Sequence, residues 1–181
     1  MFFGNQEDET EPSTEDLPYR IFILTDQFLI EGLDEGGFAL SAAFDADPND
    51  PSGGCLTLLD ARLQSLGVLD VPPRSFERWL LPSFDKVIAI WSNEPPAEDA
   101  LLDAWEDFQT PIKTLIYAGD FSIECTLYSD EDGSTPDFSL HSFAPFEEGL
   151  ILNLRDKKSP ALQAKWGVVN SALMHGFSVE K

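Results

Sequence analysis

Basic residues are scarce in this chain. Lys and Arg number 11 against 33 Asp and Glu in 181 residues, a formal net charge of −22. Binding to nucleic acid or to an anionic membrane surface rests on clustered Lys and Arg that neutralise phosphates and release counterions. The nearest approach to such a cluster, Arg155, Lys157 and Lys158, has Asp156 within it. Neither partner is therefore expected. Cysteine is also rare: Cys55 and Cys125 are too few for a disulfide framework, and they form no C-x-x-C pair. Two histidines, His141 and His175, leave little material for a hydrolase triad or a zinc site. The chain has no G-x-S-x-G elbow, no Walker loop and no G-x-G-x-x-G fingerprint. Asp45-Ala-Asp47-Pro-Asn49 starts like a calcium loop, but Asp50 stands where the turn glycine belongs and Leu56 where the bidentate glutamate belongs. Carboxylate pairs such as Glu147-Glu148 are too common in this composition to mark acid–base machinery. No catalytic residue, metal ligand or cofactor follows from these patterns. Long apolar runs are missing too, so no spanning segment is expected. The start, Met1-Phe2-Phe3, turns acidic by Glu7 without a basic or apolar leader region. The expected address is cytoplasmic.

What the chain does have is apolar and aromatic material. It is 43% hydrophobic, with 14 Phe and 4 Trp, enough for an aromatic core. Residues 1–17 carry six acids and no Lys or Arg and read as a disordered tail. A first β-rich unit spans 18–92. Its strands are expected at Tyr19–Thr25, Phe28–Leu33, Phe38–Phe44, Cys55–Leu63 and Val87–Trp91, with a short helix Phe76–Leu81 capped by Ser75 and stopped by Pro82. Residues 93–111 form a linker, opened by Pro95-Pro96 and closed by Pro111. Within it Ala97–Gln109 reads as an acidic amphipathic helix with Leu101, Leu102, Trp105 and Phe108 on one face. A second unit spans 112–181, with strands at Lys113–Ala118, Phe121–Tyr128, Phe138–Phe143 and Gly149–Leu154. A closing helix is expected from Ser159 as N-cap and Pro160 at its first turn to Gly176, burying Leu162, Trp166, Val169 and Leu173, with Trp166 as its core anchor.

The two units resemble one another. Arg20–Gly32 and Lys113–Cys125, 93 residues apart, share Ile23/Ile116, Phe28/Phe121, Ile30/Ile123 and Glu31/Glu124. Leu56–Leu58 and Leu150–Leu152 align almost at the same spacing. This pattern suggests an internal duplication. In each copy a strand meets a turn carrying Asp26 or Gly119, and six residues on stands Gly32 or Cys125, where the next strand would bend. That arrangement resembles the first motif of Sm-like small barrels. The resemblance covers about a dozen residues per copy and implies barrel-like units, with assembly through strand edges. The Arg-Gly pair of the family's second motif is absent, so no RNA-contacting residue carries over.

The expected fold is thus α+β and β-rich: two tandem small antiparallel units, bent sheets or small barrels, with packed helices. The expected function is a non-enzymatic protein–protein interaction or assembly module, with a basic surface on another protein as its natural target. The face formed by Leu101, Leu102, Trp105 and Phe108 is the candidate partner-binding site. Two alternatives are a nucleic-acid mimic that inhibits a DNA- or RNA-binding protein, and a small-molecule binder or enzyme with an unrecognised site. The charge balance makes one direct prediction. In a mobility-shift assay at physiological salt the protein leaves DNA and RNA unshifted, and tight, salt-sensitive retention would contradict the reading of its surface.

Overall fold

A computed structural model describes residues 19–34, 39–44, 55–66, 72–95, 110–129, 142–156 and 158–179. Among the described residues, ten strands build one antiparallel sheet: β1 (Tyr19–Thr25), β2 (Phe28–Asp34), β3 (Leu56–Ser65), β4 (Arg74–Leu81), β5 (Val87–Ser92), β6 (Thr110–Ala118), β7 (Phe121–Ser129), β8 (Phe143–Asn153), β9 (Leu162–Asn170) and β10 (Met174–Val179). The spatial order is β10-β6-β7-β8-β9-β5-β1-β2-β3-β4. One six-residue helix, α1 (Ala39–Phe44), follows β2, and one 3-10 turn (Ser171–Leu173) joins β9 to β10.

The strand-rich architecture overturns the α+β expectation. The fold is all-β, and the packed helices give way to strands. The stretch Phe76–Leu81 lies in β4, and the expected closing helix is β9, a 3-10 turn and β10. Leu162, Trp166, Val169 and Leu173 do fall at helical spacing, but the same segment alternates as Leu162, Ala164, Trp166 and Val168, and Val168-Val169 is a β-branched pair that favours strand. Pairing on both sides, to β8 and β5, decided the competition. Trp166 is accordingly half-buried rather than a core anchor. In the other direction, Phe38–Phe44 was expected as strand, yet Ala39–Phe44 is helical. The Asp34 carboxylate accepts the Ala39 N–H at 2.7 Å, which starts the helix as an N-terminal cap does. The tail 1–17 and the expected helix Ala97–Gln109 lie outside the described residues, as do His141 and the loop Asp45–Asn49.

Two hydrophobic cores sit on opposite faces of the sheet. Side chains alternate along a strand, so β1 sends Ile21 and Ile23 to one core and Leu24 to the other. The first core gathers Ile30, Leu58, Ala61, Leu81 and Phe84 under α1, which contributes Ala39, Leu40 and Ala43. The second gathers Ile116, Phe121, Ile123, Leu127, Phe146 and Ile151. At the centre, β5 is buried along its whole length, as its continuous apolar run predicts. Ile90 and Val168 enter the first core, while Ala89, Trp91 and Val169 enter the second. The β5–β9 pairing is therefore a seam through which each core receives side chains from the other half of the chain.

Strands β1–β5 and β6–β10 follow the same internal order, with the fifth strand beside the first. Their irregularities also coincide. The register of β5 on β1 skips one residue, Ile88, and that of β10 on β6 skips His175 at the corresponding step. Gly32 on β2 faces a bulge at Asp60-Ala61, and Cys125 on β7 faces one at Glu148-Gly149. Asp60 and Glu148, both acidic, are the two non-glycine residues with positive φ among the described residues, at 47° and 52°. Through this register the counterpart of Leu58 is Phe146, which corrects the alignment of Leu56–Leu58 with Leu150–Leu152.

The seam depends on Gly167. A Cβ there would stand 2.5 Å from the Phe146 ring and 2.9 Å from the Ile90 carbonyl oxygen, which is backbone and does not yield easily. Gly176, on β10, has nothing within 4 Å. In denaturant unfolding, Gly167→Ala should lose about 1–3 kcal/mol, the usual cost of overpacking. Gly176→Ala should stay within about 0.5 kcal/mol of wild type, as surface changes do. Equal effects would contradict the packing described.

Candidate interaction edges

Antiparallel sheets end in strands with one unpaired row of backbone N–H and C=O groups. Here those strands are β4 and β10, and among the described residues no strand pairs with their outer edges. The two edges are unusual in composition. Seven large apolar side chains are exposed among the described residues, and four of them, Phe76, Leu80, Phe177 and Val179, lie on β4 and β10. Leu80 is 54% exposed, Val179 40% and Phe177 38%. Charge runs the other way. In a chain with a threefold excess of acids, β4 carries Arg74 and Arg78 against Glu77, and Met174–Val179 carries no carboxylate.

Local chemistry explains how the seam between the halves is held. The Asn170 side chain donates to the Val87 carbonyl at 2.9 Å and accepts from the Ala172 N–H at 3.0 Å, tying β5 to the turn that launches β10. Toward the other end, the Asn93 side-chain oxygen accepts the Lys165 N–H at 3.3 Å. Within the first half, β5 is fixed to β1: Ser92 donates to the Arg20 carbonyl at 2.9 Å and accepts from the Glu94 N–H at 3.0 Å. Trp91 stacks on Phe22 with ring centroids 5.4 Å apart.

A groove of about 680 Å³ opens beside the seam, lined by residues that include Asn93, Glu147, Glu148, Lys165 and Trp166. Its carboxylates are engaged locally. Glu147 accepts the Tyr128 hydroxyl at 2.6 Å, and Glu148 pairs with Lys113 at 3.3 Å. Burial, together with the Glu147 carboxylate, raises the Tyr128 phenol above its ordinary value.

No protein-family model, curated protein or solved structure matches this chain. The site therefore rests on its own geometry. Leu101, Leu102, Trp105 and Phe108, the face expected to bind a partner, lie outside the described residues. His175 stands exposed on β10. No group of three or more His, Cys, Asp or Glu among the described residues is arranged to hold a metal ion. Within those residues, no helix is long and apolar enough to cross a membrane. The sequence places Phe76–Leu81 in a short helix and ends the closing helix at Gly176, so it anticipates neither edge strand. A signal is present only in β10, where Phe177-Ser-Val179 alternates apolar with polar; on β4, Arg78 shares a face with Phe76 and Leu80, and Trp79 shares the other with Glu77, so polar and apolar residues do not separate.

The cysteines separate cleanly. Cys55, at the start of the strand expected over Cys55–Leu63, is exposed just ahead of β3, whereas Cys125 is buried in β7. Burial pushes the Cys125 thiol up to about 12, with Lys113 opposing the shift and Glu124 adding to it. A maleimide at neutral pH should label one thiol per native chain and two after unfolding, read by intact mass. The raised value also sets a pH dependence. Below the ordinary thiol value of 9.0 the contribution of Cys125 to stability is complete, and it is lost as pH rises from there through about 12. Rapid native labelling of both thiols would contradict this placement.

Proposed function

We propose that this protein is a non-enzymatic assembly module: two tandem small β units that engage other protein chains through the two ends of their common sheet. The observation that carries the reading is the concentration of exposed apolar side chains and of non-acidic sequence on β4 and β10. Natural proteins usually protect sheet edges with charge, proline or a cover, and an exposed edge with apolar side chains is the substrate for strand addition, in which backbone hydrogen bonds supply affinity and side chains supply register. The acidic excess elsewhere has a complementary use. It repels other contacts between like-charged surfaces and draws basic partner proteins to the faces of the sheet. The matching strand order and bulges of the two halves support a duplicated origin for the units. A cytoplasmic setting agrees with this reading.

Leu80→Asp and Val179→Asp place a charge at each exposed edge without touching a buried side chain. Both variants should keep the wild-type thermal transition, because exposed substitutions usually change stability by less than about 0.5 kcal/mol. In size fractionation of native extract, the wild-type chain should run in complexes and the variants should shift to free chain. Complexes that persist unchanged in both folded variants would overturn the reading.

A further inference from the structure

The seam at the centre of the sheet is a template for what the two ends can do. It joins the fifth strand of the first half, β5, to the fourth strand of the second half, β9, with Ala89↔Val169, Ile90↔Val168, Trp91↔Gly167 and Ser92↔Trp166 as partners. The strands at the ends of the sheet are the fourth of the first half, β4, and the fifth of the second, β10. They are the counterparts of the two strands that form the seam. Resting on the assembly reading above, we propose that the partner at these edges is a second copy of this chain, joined head to tail, with β10 of one copy adding antiparallel to β4 of the next in the register of the seam.

The register follows from pairings inside each half. Ile23 pairs with Ile90, and its counterpart Ile116 pairs with Phe177, so Phe177 takes the place of Ile90. Leu58 pairs with Trp79, and its counterpart Phe146 pairs with Gly167, so Trp79 takes the place of Gly167 and Leu80 that of Val168. Transferring the seam to the ends sets Gly176 opposite Leu81, Phe177 opposite Leu80, Ser178 opposite Trp79, and Val179 opposite Arg78.

Three features of the side chains agree with this pairing. First, Ile90 and Val168 are completely buried in the seam, and the residues that would replace them, Phe177 and Leu80, are among the few large apolar side chains that the single chain leaves exposed. Second, the faces agree. Ile90 and Val168 point into the first core, at the open side of the half that owns β5. Phe177 shares its face with Ile116 of the second core, so Leu80 of the next copy would extend that core as Val168 extends the first. Third, sizes are complementary with the roles exchanged. In the seam the large Trp91 faces Gly167; at the ends Ser178 would face the large Trp79. Charge permits the contact, because β10 brings no carboxylate and β4 brings two arginines against one glutamate. The net charge of −22 on each copy still opposes approach, so association should strengthen as salt screens it. A contact between two different patches of the same chain is heterologous, and repetition closes a ring or continues as a filament.

The test uses the purified full chain with Cys55→Ser, which removes the exposed native thiol. Leu80→Cys and Phe177→Cys are made separately in this background. Each is mixed with a short bis-maleimide at high salt, alone and then together, after circular dichroism has confirmed the fold. The mixture should give a covalent two-chain product, and each variant alone should stay at one chain. Arg78→Cys with Val179→Cys, both at exposed positions, provides a second pair with the same expectation if Phe177→Cys does not fold. Sedimentation equilibrium of the wild-type chain should show species heavier than 20.1 kDa that increase with salt. Cross-linking of either variant with itself would mean like-with-like pairing and would overturn the head-to-tail register. A chain that stays monomeric at all salt concentrations, with no mixed product, would overturn self-assembly. In that event, edge-dependent complexes in native extract would leave the assembly reading standing with a different partner, whereas edge-independent complexes would remove both.

Discussion

The pairing of β5 with β9 is the constraint on which the rest of the structure depends. Backbone hydrogen bonds across it satisfy polar groups that would otherwise be buried without partners, at a cost of about 1–3 kcal/mol each. Its side chains serve both cores at once, because alternate residues of a strand point to opposite faces. Ile90 and Val168 close one core, and Ala89, Trp91 and Val169 close the other. Each core includes side chains from the other half: Phe143 and Val168 in the first, Leu24, Ile88, Ala89 and Trp91 in the second. Gly167 is the local requirement, since only a residue without Cβ leaves room for the Phe146 ring and the Ile90 backbone.

That dependence explains how a sheet of ten strands accommodates two compact cores. Each half bends at a bulge between its second and third strands. In the first, Gly32 lies under Leu58, and a Cβ there would stand 2.9 Å from the Leu58 Cβ. In the second, the buried Cys125 takes the glycine's place, and the small residue moves across the bulge to Gly149, beneath the Phe146 ring. The bend needs one side of the bulge to be small, and the two halves meet that need from opposite strands. Ion pairs contribute little by comparison. Arg155 and Asp120, at 2.6 Å, are a surface pair with Arg155 largely exposed and Asp120 half-buried, and surface pairs are worth about 0–1 kcal/mol.

Charge and edges divide the surface between them. Acidic side chains discourage contact over most of the molecule, while the end strands combine open backbone with Leu80, Phe177 and Val179. Such a distribution narrows the ways in which copies can meet, and it does so by repulsion as much as by attraction.

Several local features were legible in the sequence. The hairpins around Asp26-Gln27 and Gly119-Asp120 were readable from β-rich runs flanking short turns, and Val87–Trp91 was readable as a buried strand from its unbroken apolar run. The edge strand β4 and the seam strand β9 were not, because Phe76–Leu81 and Leu162–Leu173 carry apolar residues compatible with both helical and strand spacing. Short apolar segments of this kind have no decisive period of their own, and Ser75, Ser159 and Pro160 supplied helix signals that tertiary pairing overrode. The sequence by itself determined the acidic balance, the two β-hairpins and their spacing, since composition and alternation are local properties. Only the tertiary structure decided which segments became strands around the seam and which strands were left at the ends. Those outcomes depend on hydrogen-bond partners contributed by residues distant in sequence, such as Val168 for Ile90.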